Sequence, residues 1–324
     1  MKSIVTIGGG TGQFTLLTGL KKYPVKLTAV VSMADDGGST GVLRDELGVL
    51  PPGDVRQCLV AISEADTIVR DLFNYRFEVG SLKGHNFGNI FLSALEKISG
   101  NFDEAVRVAG MVLATRGTVI PITTQNTRLV CGRGEVCVHG QYAIENAELP
   151  KDPELHLDPE VYANPKAIEA IEAADCIVIG PGNYYCSILP TLLVKGVAEA
   201  VLRSKARVVY NCNLMTKKGH TDGFTVDDFV AGIEKHIGKN RIDFVTSNGA
   251  VPEQELLDRY AAEGEFPVPI VEPGMKNTRQ YLSADLISRT IPLLKAGDPI
   301  RRTLIRHDPE VLAALIIRNC LGGL

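Results

Sequence analysis

The chain has 324 residues, of which 45% are hydrophobic and 22% are charged, and its formal net charge is −4. These values are typical of a soluble globular protein with a large core, and they argue against a nucleic-acid binder that neutralises phosphates. No apolar run is long enough to span a membrane, and the N-terminus lacks the pattern of a signal peptide. Seven cysteines without a C-x-x-C pair favour free thiols in a reducing compartment. We therefore expect a cytoplasmic protein.

A glycine-rich loop, residues 8–12, follows the first predicted strand and leads into a predicted helix. Such a loop lets the backbone approach an anion closely, and the helix N-terminus directs N–H groups at it. Gln13 stands where a dinucleotide fingerprint needs a glycine, and the Gly-Lys-Ser/Thr ending of a P-loop is missing. The loop therefore predicts a phosphate or nucleotide site without identifying the nucleotide. Its candidate ligand residues are Gly9, Gly10, Thr11 and Gly12.

Two acids and a second glycine-rich stretch follow the second predicted strand, residues 26–31. Asp35 and Asp36 come about 25 residues after the first loop, as the ribose-binding acid of dinucleotide folds does. Ser39 and Thr40 come next, and all four are candidate ligand residues. The alternative is that one of the acids caps the helix that follows.

Three further polar residues are candidates between the second strand and the middle of the chain. Asp54 follows two prolines and is either a site residue or the N-cap of the next helix. His85 and Asn89 stand four residues apart, which places them on one face of a predicted helix, and Gly88 permits close approach. The alternative for both is an ordinary polar side chain with a partner inside the protein.

The second half of the chain repeats the strand, glycine loop and helix pattern after an insertion. Short apolar runs around a Gly-Arg-Gly turn predict a β-hairpin near residues 119–141, followed by an irregular acidic stretch. The predicted strand 175–179 then ends in a second glycine loop. This loop and the exit of the predicted strand 207–210 add the candidates Gly180, Gly182, Asn183, Ser187 and Asn213. The tail predicts short strands at 267–271 and near 304–305, and a helix at 309–318.

Repeated alternation of strands and helices predicts an α/β fold with a Rossmann-like, doubly wound and mainly parallel sheet. We expect a single domain over residues 1–324 that includes the small β-hairpin insertion. Ligands of such sheets bind outside the carboxyl ends of the strands. The glycine loops and the polar strand exits should therefore face one crevice.

Six stretches of the sequence together resemble the YvcK family, the bacterial gluconeogenesis factors, which are relatives of the 2-phospho-lactate transferase CofD. They are residues 8–12, 32–41, 51–56, 87–90, 180–182 and 213–216. The resemblance implies a cytoplasmic, Rossmann-like protein that binds UDP-sugars such as UDP-N-acetylglucosamine and is needed for normal cell shape on gluconeogenic carbon sources. The transferase relatives use an Ala-Asp-Asp stretch that matches residues 34–36 near their deazaflavin acceptor. After that stretch this chain has the YvcK form.

Two functions from different classes fit these features. In the first, a regulator binds a UDP-sugar, with the diphosphate across the two glycine loops and with Asp36 and Asn89 on ribose, sugar or base. Asp36 is also a candidate Mg²⁺ ligand, with the diphosphate supplying further oxygens. In the second, a transferase uses Asp36 as general base or metal ligand, and the glycine loops stabilise charge on a transferred phosphate. The spacing of Arg44, Arg56 and Lys83 aims none of them at a phosphate, whereas residues 301, 302 and 306 are arginines that could fold over the crevice. The sequence leaves open whether the chain forms a homo-oligomer.

Overall fold

The structure, a computed structural model, describes residues 1–134, 136–270, 279–290 and 304–323. Its strands are β1 (Ser3–Gly8), β2 (Lys26–Val31), β3 (Thr118–Pro121), β4 (Arg128–Arg133), β5 (Val136–His139), β6 (Glu154–Asp158), β7 (Cys176–Ile179), β8 (Arg207–Asn211), β9 (Phe244–Asn248) and β10 (Gln280–Ala284). Its helices are α1 (Gly10–Leu20), α2 (Gly38–Leu47), α3 (Gly53–Ala61), α4 (Thr67–Asn74), α5 (Phe87–Ser99), α6 (Phe102–Val112), α7 (Gln141–Glu145), α8 (Pro165–Glu172), the π-helix Tyr184–Ile188, α9 (Leu189–Leu192), α10 (Val197–Arg203), α11 (Val226–Ile237), α12 (Gln254–Ala262) and α13 (Pro309–Cys320). None of the described helices is both long and apolar enough to cross a membrane.

The main sheet has seven parallel strands in the order β10-β9-β8-β7-β1-β2-β3. From β1 the chain adds β2 and β3 on one side, and later β7 to β10 on the other. The order of the strands therefore reverses between β1 and β7. Ligands of doubly wound sheets bind outside the carboxyl ends of the strands at this reversal. The predicted α/β, mainly parallel fold is confirmed.

The strands at the centre of the sheet are buried because helices flank it. All four residues of β7 are inaccessible to solvent, as the continuous apolar run Cys-Ile-Val-Ile requires. Gln13 shows why the dinucleotide fingerprint is interrupted: its buried amide donates to the Thr6 hydroxyl at 3.0 Å and to the Val30 carbonyl at 3.3 Å. This side chain fixes α1 to β1 and β2 where a glycine would leave a gap.

The predicted hairpin is confirmed, but its start was wrong and it belongs to a larger unit. Residues 118–121 form β3 at the edge of the main sheet, and the hairpin itself consists of β4 and β5. Residues 154–158, inside the stretch predicted to be irregular, form β6 and pair antiparallel with β4. The result is a three-stranded sheet, which together with α7 we call the inserted unit.

Several smaller predictions need correction in the C-terminal part. Leu304 and Ile305 form no strand; their backbone N–H groups donate to the hydroxyl of Tyr260. Residues 267–270 are not in a strand either, and 271 lies outside the described residues. The sheet instead gains β10, which the sequence analysis missed. The predicted helix at 309–318 is confirmed and extends to Cys320.

Candidate functional site

The two glycine loops meet at the reversal point of the main sheet. A Cβ added to Gly12 would overlap the carbonyl oxygen of Pro181 and lie 3.0 Å from the backbone nitrogen of Gly182. Gly10 has φ +66°, in the left-handed region that glycine adopts most readily. Gly9 is the N-cap of α1 and brings no side chain to its N–H groups. Gly12 and Gly182, which are 170 positions apart in the chain, thus bring the two glycine loops into contact at the carboxyl ends of β1 and β7.

One carboxylate lies beside the first glycine loop, and a second lies beside the start of α3. Asp54 is in the first turn of α3, and its carboxylate lies beside the backbone of Gly9 and Gly10. The same carboxylate fills the space that a side chain at Gly9 would need. Asp35, at the exit of β2, accepts from the N–H of Gly37 at 3.0 Å. The predicted N-cap role of Asp54 is wrong, because α3 begins at Gly53 and Pro52 is its N-cap.

Burial and neighbouring charges disfavour the ionised form of both carboxylates. Burial raises the pKa of Asp54 to about 8, and the charge of Asp35 adds to this rise. Burial also raises the pKa of Asp35, although the N–H of Gly37 acts in the opposite direction. The charge of Glu145 contributes to both increases. Such a pair binds a shared proton or a cation more readily than an isolated carboxylate does.

Asp36 has a different role from its neighbour. Its carboxylate accepts a 2.7 Å hydrogen bond from the backbone N–H of Tyr142, in the first turn of α7. It also lies against Gly140, where a Cβ would overlap it. Asp36 therefore anchors the inserted unit to the exit of β2. Capping of α2 by one of the two acids is wrong, because the N-cap of α2 is Gly37 and no side chain caps it.

The N-terminus of α2 contacts the segment around the start of α5. The Ser39 hydroxyl lies 3.2 Å from Nδ1 of His85, and the amide of Asn89 donates to the Thr40 hydroxyl at 3.5 Å. The guanidinium of Arg56 donates to the oxygen of Asn89 at 3.0 Å. His85 and Asn89 do not share a helical face as predicted, since α5 begins at Phe87 and His85 precedes it. Their placement joins α2 to α5 and buries Asn89.

The second glycine loop is held by amide side chains. Asn213 donates from Nδ2 to the carbonyl of Gly182 at 2.9 Å and accepts from the hydroxyl of Tyr210 at 3.3 Å. Asn183 caps the π-helix by accepting from the N–H of Cys186 at 3.2 Å. Gly180 has φ +71°, and Ser187 is buried behind the loop. Asn213 therefore positions this loop from behind, whereas Asn183 stands at its rim.

Two charged residues at this rim were missed by the sequence analysis. Oε1 of Glu145, at the end of α7, accepts from Nδ2 of Asn183 at 3.2 Å and from the ammonium of Lys217 at 3.3 Å. Glu145 lay in a stretch that was predicted to be irregular. Lys217 directly follows the stretch 213–216 that the resemblance singled out, which is the signal that could have found it.

Of the other cations that the sequence suggested, three can be located from their burial and contacts. Arg44 and Arg56 are buried, and Arg44 donates to the carbonyl of Thr127 at 2.8 Å. Lys83 is exposed. Residues 301 and 302 lie outside the described residues. Within the described ranges, no three His, Cys, Asp or Glu side chains are grouped so that they could hold a metal ion.

Comparison with known proteins places this geometry in a family. The family model of 2-phospho-L-lactate transferase CofD matches residues 4–287. A protein of Bacillus subtilis named gluconeogenesis factor is 37% identical over 97% of this chain and 96% of its own length. Another of that name, from Listeria innocua, is 44% identical over 78% of this chain and 80% of its own length.

A solved structure has the same fold over almost the whole chain. The crystal structure of protein BH3568 from Bacillus halodurans superimposes with a TM-score of 0.87 and 38% sequence identity. The match covers 97% of this chain and 99% of that one. The chain therefore belongs to the CofD family and, within it, to the group of proteins named gluconeogenesis factors.

Proposed function

We propose that this protein binds a UDP-sugar, with UDP-N-acetylglucosamine as the first candidate, in the crevice between the two glycine loops. It does so as a cytoplasmic regulator that is needed for normal cell shape on gluconeogenic carbon sources. The observation that supports this best is the contact of Gly12 with Pro181 and Gly182 at the reversal point of the sheet. Two adjoining backbone loops, one of them at a helix N-terminus, suit the two phosphates of a diphosphate.

The diphosphate would lie along Gly9, Gly10, Thr11 and Gly12 on one side and along Gly180, Gly182 and Asn183 on the other. The carboxylates nearby suit the rest of such a ligand, because carboxylates accept hydrogen bonds from ribose and sugar hydroxyl groups. Asp35, at the exit of β2, is the acid whose charge acts on Asp54 beside the first glycine loop, whereas the carboxylate of Asp36 holds the N–H of Tyr142 in the inserted unit. Ser39, Thr40 and Ser187 remain proposed ligand residues.

A magnesium ion would relieve the repulsion between the diphosphate and the neighbouring carboxylates. Asp35 and Asp54 are the residues that would hold it, because burial raises the pKa of both, the charge of Asp35 acts on Asp54, and Asp54 lies beside the first glycine loop. Mg²⁺ takes oxygen ligands and commonly binds through one or two carboxylates together with phosphate oxygens. The metal would neutralise charge on the diphosphate.

Binding is tested by comparing the melting temperature of the protein with UDP-N-acetylglucosamine and with NAD, each in the presence of Mg²⁺. The UDP-sugar should raise it more than NAD does. At about 100 times its dissociation constant it adds about 2.7 kcal/mol to the free energy of unfolding. Equal shifts, or no shift with either compound, contradict the proposal. Deleting the gene in its host should distort cells on a gluconeogenic carbon source and not on glucose.

A transferase is the second candidate function, and one observation favours it. The pKa of Asp54, raised to about 8, is close to the value that a general base needs near neutral pH. Prolonged incubation with Mg²⁺ and UDP-N-acetylglucosamine, followed by chromatography, separates the two functions. A regulator leaves the UDP-sugar intact. Release of UDP, UMP or free sugar that stops in Asp54→Asn identifies an enzyme.

A further inference from the structure

The rim of the second glycine loop brings two hydrogen-bond donors to one negatively charged oxygen. Nδ2 of Asn183 and Nζ of Lys217 lie 3.2 Å and 3.3 Å from the same oxygen of Glu145. An amide and an ammonium that converge on one oxygen are a donor set that also suits a phosphate oxygen. In this structure the carboxylate of Glu145 takes the place that such a phosphate oxygen would have on these two donors.

The main chain holds both sides of this contact in place. The backbone N–H of Lys217 donates to the hydroxyl of Thr221 at 2.8 Å, and the backbone carbonyl of Lys217 accepts from the N–H of Thr221 at 2.9 Å. On the other side, Asp36 anchors the first turn of α7, and Glu145 is the last residue of that helix. The contact therefore follows from the fold of two segments and not from two freely moving side chains.

The ion pair is weak enough to be displaced. The side chains of Glu145 and Lys217 are 42% and 32% exposed. Pairs at this level of exposure contribute little because water and salt screen them. Glu145 is also close enough to the proposed site for its charge to raise the pKa values of Asp35 and Asp54. Its negative charge opposes an anionic ligand as long as it stays there.

From this arrangement we infer that Lys217 and Asn183 form a phosphate subsite, and that Glu145 occupies it until the phosphate of a ligand displaces the carboxylate. This inference rests on the proposed function, because it assigns one end of the diphosphate to the rim of the second glycine loop. It adds a cation to a site that the sequence left without one. It also makes the inserted unit a part of the site, because α7 supplies the competing carboxylate.

A double-mutant cycle tests the inference, with inorganic pyrophosphate as probe and calorimetry as readout. Pyrophosphate contains the phosphates without the uridine and the sugar. Glu145→Gln should bind it about two- to fivefold more tightly than the wild type, the amount that an exposed ion pair supplies. Lys217→Met should bind it about tenfold more weakly, because a hydrogen bond to a charged group is lost. In the double variant, Glu145→Gln should gain less than in the wild-type background, because only the general repulsion and the contact with Asn183 are then relieved.

The matched control is Glu172→Gln. Glu172 pairs with Arg203, and its side chain is 40% exposed, close to the value for Glu145. It ends α8 directly before β7 begins, at the opposite edge of the sheet. This variant should bind pyrophosphate as the wild type does, and circular dichroism should show all variants folded.

Three other outcomes would contradict either the phosphate subsite or the proposed function. If Glu145→Gln raises the affinity for pyrophosphate as much in the Lys217→Met background as in the wild type, the carboxylate acts only through its charge and the subsite is wrong. Wild-type protein that binds no pyrophosphate also overturns the subsite. If pyrophosphate follows the expected cycle but UDP-N-acetylglucosamine does not bind, the subsite stands and the proposed function fails.

Discussion

The carboxylate of Asp36 and the backbone N–H of Tyr142 are joined by a 2.7 Å hydrogen bond across 106 residues of sequence. One end of this bond is the exit of β2, beside the first glycine loop. The other end is the first turn of α7, whose last residue reaches the second glycine loop. A residue that sequence patterns assign to a ligand thus connects the inserted unit to the crevice.

Replacing Asp36 should destabilise the protein and disturb the site together. Asp36→Ala removes the acceptor for the first turn of α7 and should lower the free energy of unfolding by about 1 kcal/mol, as loss of a helix cap does. Asp36→Asn keeps one acceptor oxygen and should lose less. Urea denaturation measures the stability, and calorimetry measures binding of UDP-N-acetylglucosamine.

Asp308→Ala is the control for Asp36→Ala. Asp308 caps α13 by accepting from the N–H groups of Glu310 and Val311. Helix α13 packs closely against α1, because a Cβ added to Gly19 would overlap the carbonyl oxygen of Pro309. A similar loss of stability with unchanged ligand affinity is expected. If Asp36→Ala also leaves the affinity unchanged, the anchoring role does not extend to the site.

Gly10→Val should abolish ligand binding, because the branched side chain fills the backbone crevice. Its φ of +66° makes valine strained as well. Gly48→Val is the matched control: Gly48 has φ +62°, ends α2 and has open space around it. Both variants should lose a comparable amount of stability, and only Gly10→Val should lose the thermal shift with UDP-N-acetylglucosamine. Asp36→Asn should weaken binding less than Gly10→Val. Normal binding by Gly10→Val would place the phosphate elsewhere.

Gly12→Ala should separate the two glycine loops. The added methyl group would overlap the carbonyl of Pro181, so one loop must move, and overpacking of this kind costs about 1–3 kcal/mol. We expect a lower unfolding free energy and weaker binding of the UDP-sugar. Gly182→Ala provides the comparison for stability, because its nearest neighbours are 3.6 Å away and leave room for a methyl group. Equal stability of the two variants would contradict the close contact of the loops.

The stability of the wild type should fall as the pH rises from about 4 to about 8 because of Asp54. Its folded-state pKa of about 8 lies above the value of about 3.9 for an unfolded chain, so the folded state binds more protons in this window. The contribution is complete below the unfolded pKa and is lost as the pH passes the folded pKa. Asp54→Asn should remove this pH-dependent contribution, so the free energy of unfolding of the variant should rise relative to that of the wild type as the pH increases. Urea midpoints between pH 5 and 9 measure this, and parallel pH profiles would refute it.

Local sequence patterns were enough to predict the parallel sheet, the two glycine loops and the edge at which they meet. Each depends on local information: a β-branched run such as 3–7 favours a strand, and a glycine cluster after it allows a tight exit. Once strands and helices alternate, the parallel arrangement puts every such exit at one edge. That is why Gly12 and Gly182 could be assigned to one crevice before any contact was known.

The tertiary structure alone decided which polar groups become partners. Asp35 and Asp36 are adjacent and chemically identical, yet the charge of Asp35 acts on Asp54 whereas Asp36 accepts from the N–H of Tyr142. The local pattern cannot separate them, because the choice depends on where the inserted unit packs. The same holds for the oxygen of Glu145, which meets Lys217 over 72 residues of sequence. Residues 119–121 were assigned to the hairpin, but they belong to β3 and pair with β2, since strand partners are selected by the packing of the whole sheet.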